Sequence, residues 1–124
     1  MNPKQRKLFE RIRPEIERYP LGSPPSSVLA RDLRIPPAAV EGVLQVALKE
    51  GDVLRPDPVI WITPRKADAA FQKLKEACGE EASIAQVRDL FDVSRKYAEA
   101  FLHLAVERYG MKQHGLRFTF PAQS

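Results

Sequence analysis

The sequence predicts a mainly helical α+β fold in which two winged-helix (helix-turn-helix) domains follow each other, and three observations carry this prediction. The run Ala30-Arg31-Asp32-Leu33 has a similar counterpart in Val87-Arg88-Asp89-Leu90. A short polar gap follows each run, and then an apolar-periodic segment over residues 38–48 or 97–106. A glycine and a hairpin pattern follow each of those segments. Because a repeated supersecondary unit indicates repeated domains, we expect two small domains of one kind.

The first predicted domain, residues 1–63, has the order helix, helix, turn, helix, hairpin. Its first helix covers residues 3–19, and its second begins at Ser26 or Ser27 and continues to Leu33. The third begins at Pro36-Pro37, where a missing N–H costs nothing, and it ends at Gly51. Strands at 52–55 and 59–62 flank a tip at 56–58. The apolar residues that define the first helix are Leu8, Ile12, Ile16 and Tyr19.

The second predicted domain, residues 64–124, repeats this order. Thr63 and Pro64 are typical of a helix start, and Gly79 ends that helix. Ser83 with Gln86 forms a capping-box pattern for the next helix. The last helix runs from a Ser94 cap to Gly110, and residues 111–114 and 116–120 pair across Gly115. The predicted apolar stripes consist of Ala67, Phe71, Leu74 and Cys78, then Ile84, Val87 and Leu90, then Ala98, Phe101, Leu102, Ala105 and Tyr109.

Composition and charge exclude several classes of protein. The net charge is +4 and the pI is about 9.4, with ten basic and eight acidic residues in each predicted domain. This excess suits nucleic acid or acidic surfaces, although many solvated helical proteins carry as much. A single cysteine, Cys78, excludes an internal disulfide framework. With no signal-peptide pattern and no apolar run near the ~18–20 residues of a membrane helix, we expect a cytoplasmic protein with no membrane partner.

Catalytic and metal-binding patterns are missing from the sequence. His103 has no second histidine or paired carboxylate at ligand spacing. The six glycines are scattered as helix stops, so no phosphate-binding loop is predicted. No serine or cysteine nucleophile stands beside a base. We therefore expect no enzyme activity, no metal, no cofactor and no small-molecule substrate.

The start of the third helix differs between the two copies, and this difference is the best functional clue. The first copy has Pro36-Pro37-Ala38-Ala39, whereas the second has Ser94-Arg95-Lys96-Tyr97. In a helix-turn-helix, the last helix presents its N-terminal turn to nucleic acid, where unpaired N–H groups already attract phosphate. Cations at that position oppose the helix dipole. A bound phosphate explains Ser94, Arg95 and Lys96 better than helix stability does.

Other candidate contacts allow two interpretations each. Tyr97 either stacks on a base or covers the core beside Phe101. Arg88 either contacts the nucleic-acid backbone or has a structural role shared with Arg31, its partner in the repeat. The second wing either straddles a groove or carries ordinary solvated cations. Its candidate residues are Lys112, Gln113, His114 and Arg117.

A resemblance to a known family sharpens this interpretation. The runs Ala85-Gln86-Val87-Arg88-Asp89-Leu90 and Val93-Ser94-Arg95-Lys96-Tyr97-Ala98 resemble the last of the winged helices in bacterial selenocysteine-specific elongation factor (SelB). The runs at 23–26 and 49–55 and the aromatic wing residue Trp61 are similar to the preceding domain of that family. The resemblance covers nearly the whole chain. It implies recognition of an RNA hairpin in selenoprotein messenger RNA, through Arg88, Ser94, Arg95, Lys96 and Tyr97, with Arg117 a weaker match.

Three functions remain open at the level of sequence. The leading one is an RNA-hairpin-binding module of the selenocysteine-factor type, with the second domain as the nucleic-acid reader. The second is a transcriptional regulator that places the same helix in the major groove of duplex DNA. The third is a protein-interaction module, since fold does not decide function. The proline-rich start of the third helix in the first copy suggests that this domain is a spacer or docking unit.

Overall fold

The computed structural model describes residues 1–122; Gln123 and Ser124, the end of the predicted second domain, lie outside them. Six helices and five short strands occur over the described residues. The helices dominate and the sheets are small and antiparallel, which confirms the predicted α+β class. The chain divides into two compact units, Met1–Lys66 and a second that begins at Ala67. The division therefore lies inside a helix rather than at its start, where the domain boundary is predicted.

The first unit contains three helices and a two-stranded sheet. Its elements are α1 (Pro3–Glu17), α2 (Ser26–Leu33), α3 (Pro37–Glu50), β1 (Leu54–Asp57) and β2 (Ile60–Ile62). β1 and β2 are antiparallel, with an irregular register between the two ends of β1. The strands shift relative to the prediction, so the tip is Pro58-Val59 instead of residues 56–58.

α1 begins with a capping box and packs one face into the core. The Asn2 side chain accepts a hydrogen bond from the Gln5 N–H at 2.8 Å, and the Gln5 side chain accepts one from the Asn2 N–H at 2.9 Å. Phe9, Ile12 and Ile16 are buried, whereas the predicted Leu8 is only half-buried. The spacing of three and four residues allowed either Leu8 or Phe9 on this face, and the larger aromatic ring is the one that fills the core.

The chain between α1 and α2 approaches β2 closely. Gly22 has a φ of +119°, and an added Cβ would lie 2.5 Å from the Ile60 side chain. This approach lets the Ser23 N–H donate to the Trp61 carbonyl at 2.7 Å, while the Trp61 N–H donates to the Ser23 hydroxyl at 3.2 Å. Only glycine fits at position 22, because both the positive φ and the contact exclude a side chain.

Thr63 fixes the start of the next helix to the first unit. Its hydroxyl accepts from the Lys66 N–H at 3.4 Å and donates to the Glu17 carboxylate at 2.7 Å. The Arg65 guanidinium also pairs with the Glu17 carboxylate, and its Nη2 lies 3.1 Å from the Glu17 Oε2. Partial burial raises the pKa of Glu17, but hydrogen bonds from Arg65 and Thr63 outweigh it, so the pKa lies below its usual value. These contacts explain why residues through Lys66 belong to the first unit.

The second unit has a third strand that the sequence pattern did not predict. β3 (Glu81–Ser83) pairs with β5 (Arg117–Thr119), which pairs with β4 (Lys112–His114). The sheet order is therefore β3-β5-β4, and both pairings are antiparallel. The short β3 places buried Ala82 opposite buried Phe118. The elements in this part of the chain are α4 (Pro64–Cys78), β3 (Glu81–Ser83), α5 (Ile84–Phe91), α6 (Arg95–Tyr109), β4 (Lys112–His114) and β5 (Arg117–Thr119).

Aromatic side chains and polar contacts of Asp68 hold α4 against α6. Phe71 stacks on Tyr109 with ring centroids 4.3 Å apart, and the Tyr109 hydroxyl donates to Asp68. Burial, followed by the hydrogen bond to Asp68, raises the pKa of Tyr109 to about 12. Leu74 and Phe101 are fully buried. Cys78 is half-buried, and burial raises the pKa of its thiol, which favours the protonated form.

Candidate nucleic-acid interface

The start of α6 is open to solvent and positively charged. The capping box predicted at Ser83 and Gln86 is confirmed, and α5 ends in a left-handed residue, Asp92, with a φ of 53°. α6 then begins with exposed Ser94, Arg95 and Lys96. Ser94 occupies the N-cap position, but within residues 1–122 its side chain makes no capping hydrogen bond, contrary to the prediction. Its hydroxyl is therefore available at the positive end of the helix dipole.

The two cations at this position differ in their charge environment. The Arg95 Nε lies 2.9 Å from the Glu99 carboxylate, four residues later on the same helix face, so its charge is partly neutralised. The Arg95 side chain is nevertheless 62% exposed. Lys96 is exposed and forms no ion pair with any described residue. Lys96 is therefore the stronger attractor for an anion, whereas Arg95 must exchange its carboxylate partner for a phosphate.

The second wing carries a mixed surface. Arg117 on β5 lies 3.5 Å from Glu81 on β3, so its charge is also shared with a carboxylate. Lys112 and His114 are exposed on β4, and the Gln113 amide donates to the Gly115 carbonyl at 3.0 Å. Leu116, at the tip, is 73% exposed, although it is a large apolar residue.

One pocket brings the start of α6 and the wing tip together. It joins three parts of the second unit: the start of α5, the start of α6 and the wing. The residues that line it are Ser83, Ile84, Ala85, Arg95 and Leu116. A cationic guanidinium and an apolar side chain thus share one concave surface, which suits a phosphate together with the apolar face of a base or sugar. The sequence interpretation missed Leu116, although a leucine directly after the hairpin glycine was the available signal.

Arg88 and Tyr97 flank this arrangement without lining the pocket. Arg88 is exposed on α5, and its carbonyl accepts from the Asp92 and Val93 N–H groups. Tyr97 is half-buried on the first turn of α6. Lys112 and His114 do not line the pocket either. Of the candidate residues predicted from the sequence, only Arg95 lines the pocket, and Ser94 and Lys96 are its neighbours in the chain.

The corresponding surface of the first unit carries a carboxylate with partners in its own unit. Pro37 and Ala38 stand where the second unit has Arg95 and Lys96. Glu41, the counterpart of Glu99, accepts from the Ser26 hydroxyl at 2.6 Å and lies 3.8 Å from Arg55 of the first wing. These contacts link the start of α2, the body of α3 and the first wing. The start of α3 therefore lacks the two cations found at the start of α6, and its Glu41 is already engaged by Ser26 and Arg55.

The fold is similar to that of a solved RNA-binding structure. This structure is the mRNA-binding domain of elongation factor SelB from E. coli, in complex with SECIS RNA. The TM-score is 0.76, and the match covers 98% of this chain and 100% of that one, at 16% sequence identity. No protein-family model and no curated protein sequence match the chain. At this identity, the likeness supports the winged-helix-like fold alone.

Two other features are absent from residues 1–122. No helix there has the length and apolarity that crossing a bilayer requires. No group of histidine, cysteine or acidic side chains within this range is arranged to hold a metal ion.

Proposed function

We propose that this chain is a noncatalytic RNA-binding module made of two winged-helix domains, of which the second reads an RNA hairpin of the SECIS kind. The observation that carries this proposal is the shared surface of Arg95 and Leu116, with unpaired Lys96 beside Arg95. The fold likeness to the SelB mRNA-binding domain supports it. The first domain, in which Glu41 bridges the equivalent surface, acts as a spacer or docking unit.

In this proposal, each element of the second unit has a distinct task. The uncapped first turn of α6, with Ser94 and Lys96, holds a backbone phosphate through charge-assisted hydrogen bonds. Leu116 contacts the face of a loop base or sugar beside Arg95. Phosphate contacts position the RNA, whereas contacts with an unstacked base supply specificity. Arg88, Tyr97, Lys112, His114 and Arg117 remain candidates for further contacts around this centre.

The double variant Arg95→Ala/Lys96→Ala tests the proposal. We expect its Kd for a SECIS hairpin to rise roughly tenfold to a hundredfold, since a hydrogen bond to a charged group contributes about 1.5–3 kcal/mol when it is well formed. Fluorescence anisotropy with a labelled hairpin measures this change. The matched control is Lys73→Ala/Lys75→Ala on α4, which removes the same charge elsewhere and should leave the Kd within about threefold.

The competing RNA and DNA targets are separated in the same assay. At one salt concentration, an unlabelled SECIS hairpin should displace the labelled one more effectively than a scrambled hairpin or duplex DNA. Salt must be matched because phosphate contacts make every such affinity depend on it. Stronger displacement by duplex DNA would contradict the proposal and identify a DNA reader. If the Lys73/Lys75 control lost as much affinity as the Arg95/Lys96 variant, the start of α6 would not be a specific binding site.

A further inference from the structure

α1 carries an excess of cations that its own stability does not explain. Residues 3–18 contain six Lys or Arg and three Glu. The first turn of the helix has no acidic residue and the last turn has no basic one. Acidic residues near the start and basic residues near the end stabilise a helix through its dipole, by about 0.3–1 kcal/mol each. The charges at the two ends of α1 therefore do not stabilise it through the helix dipole.

The three glutamates of this segment are all engaged. Glu10 pairs with Arg13 and lies 3.8 Å from Arg6, and Glu15 is 2.8 Å from Arg18. Glu17 is held by Thr63 and Arg65. Three exposed cations of α1 remain with no ion pair to any residue in the range 1–122. They are Lys4, Lys7 and Arg11, which we call the α1 stripe.

The α1 stripe forms one continuous surface. Spacings of three and four residues place its members on the same side of the helix, about 4.5 Å and 6 Å apart along the axis. These intervals lie between one and two phosphate steps of a nucleic-acid strand, at about 3.4 Å each along the axis of a duplex. The Arg11 Nη2 donates to the Leu33 carbonyl at 3.4 Å, a neutral partner that leaves its charge uncompensated. Arg34, the residue after Leu33 in the sequence, is also exposed.

The chemistry of this surface selects nucleic acid over a membrane. A helix that binds a membrane surface keeps an apolar face for the lipid, whereas the apolar face of α1 is occupied by the core through Phe9, Ile12 and Ile16. Within the first unit, Val59 on the wing is the exposed large apolar residue, at 36%. The stripe has no aromatic side chain that could read a base. Its groups suit a phosphate backbone of any sequence.

We propose that the α1 stripe is a second polyanion-binding surface, which binds the phosphodiester backbone of RNA without sequence preference and independently of the start of α6. A protein with one specific and one non-specific surface can hold a long RNA on both sides of a hairpin, or hold two RNA segments. This assignment does not require the hairpin specificity proposed above. It also gives the first unit an RNA contact of its own, although the start of α3 in that unit is uncharged.

The test uses the full chain in the Arg95→Ala/Lys96→Ala background, with labelled single-stranded poly(U) as the probe. The stripe variant adds Lys4→Gln, Lys7→Gln and Arg11→Gln. The matched control instead adds Arg6→Gln, Arg13→Gln and Arg18→Gln, which removes the same charge from ion-paired positions of the same segment. We expect the stripe variant to lose at least about tenfold in affinity. The slope of log K against log salt should fall by about 2, at about 0.7 per phosphate neutralised on a single strand.

Each other outcome overturns the assignment. An equal loss in both variants would mean that net charge alone acts, and no loss in the stripe variant would mean that the stripe binds nothing. Complete loss of poly(U) binding in the Arg95/Lys96 background would leave the α6 proposal standing and remove this one. Stripe-dependent binding to phosphatidylserine vesicles, with unchanged RNA binding, would reassign the surface to membranes. Far-UV circular dichroism confirms that each variant is folded.

Discussion

Glu99 competes with any anion that binds Arg95. The two side chains already pair at 2.9 Å, so a phosphate must displace a carboxylate, and the carboxylate then repels it. We expect Glu99→Gln to strengthen hairpin binding about threefold to tenfold, in anisotropy at moderate salt. Glu107→Gln is the matched control, because it removes the same charge from an exposed position on the same helix. Equal strengthening by both variants would show that only net charge matters, and weaker binding would mean that Glu99 orients Arg95.

Tyr109 makes the stability of the second unit depend on pH in the alkaline range. Its folded pKa of about 12 lies above the ordinary value of 10.0. A raised pKa means that the contribution to stability is complete below pH 10 and is lost as the pH rises towards about 12. In urea unfolding monitored by circular dichroism, we expect the wild type to lose more stability between pH 9 and pH 11 than Tyr109→Phe does.

The phenylalanine variant also loses the hydrogen bond to Asp68, so at neutral pH it should be less stable by about 1 kcal/mol. The ring itself still stacks on Phe71, which limits the cost to the hydroxyl. A variant with the same pH dependence as the wild type would show that Tyr109 does not titrate differently in the folded state.

At the scale of elements, the wing tip contributes little to the stability of the second unit, so its proposed binding role can be tested separately. Leu116 is mostly exposed, so Leu116→Ser should change the free energy of unfolding by no more than about 0.5 kcal/mol. We expect the same variant to weaken hairpin binding about fivefold or more, because Leu116 lines the pocket with Arg95. Val59→Ser, at the tip of the first wing, is the control and should leave binding unchanged. Equal effects of the two variants would contradict a specific role for the second wing.

Helices were predictable from the sequence because their signals are strong. Prolines and glycines mark most ends, and the Ser83–Gln86 capping box is present as expected. β3 was missed because three residues, Glu81–Ser83, are too few to show alternation, and their pairing with β5 is non-local. The candidate interface is also only partly predictable, because it too depends on non-local packing. The cations at 95 and 96 stand out in the sequence, whereas the closeness of Leu116 to Arg95 follows only from how α5, α6 and the wing pack.

At the scale of the whole molecule, two compact units predict two unfolding transitions. Trp61 is the single tryptophan and is buried in the first unit, so its fluorescence reports that unit, whereas circular dichroism reports the helices of both. Leu74→Ala empties a fully buried position of the second unit and should cost about 2–5 kcal/mol there. We expect the dichroism transition to split or broaden while the tryptophan transition keeps its midpoint. A shift of both signals together would show that the chain unfolds as one cooperative domain.

The hydroxyl of Thr63 has a practical consequence for anyone who separates the halves of this protein. Cutting the chain before Pro64 would leave the carboxy-terminal piece without the cap of its opening helix. In the amino-terminal piece, the carboxylate of Glu17 would keep Thr63 but lose Arg65. An amino-terminal piece that retains residues through Lys66 keeps both partners. A carboxy-terminal piece that starts at Thr63 keeps its cap. The two excised halves are therefore best prepared with overlapping ends.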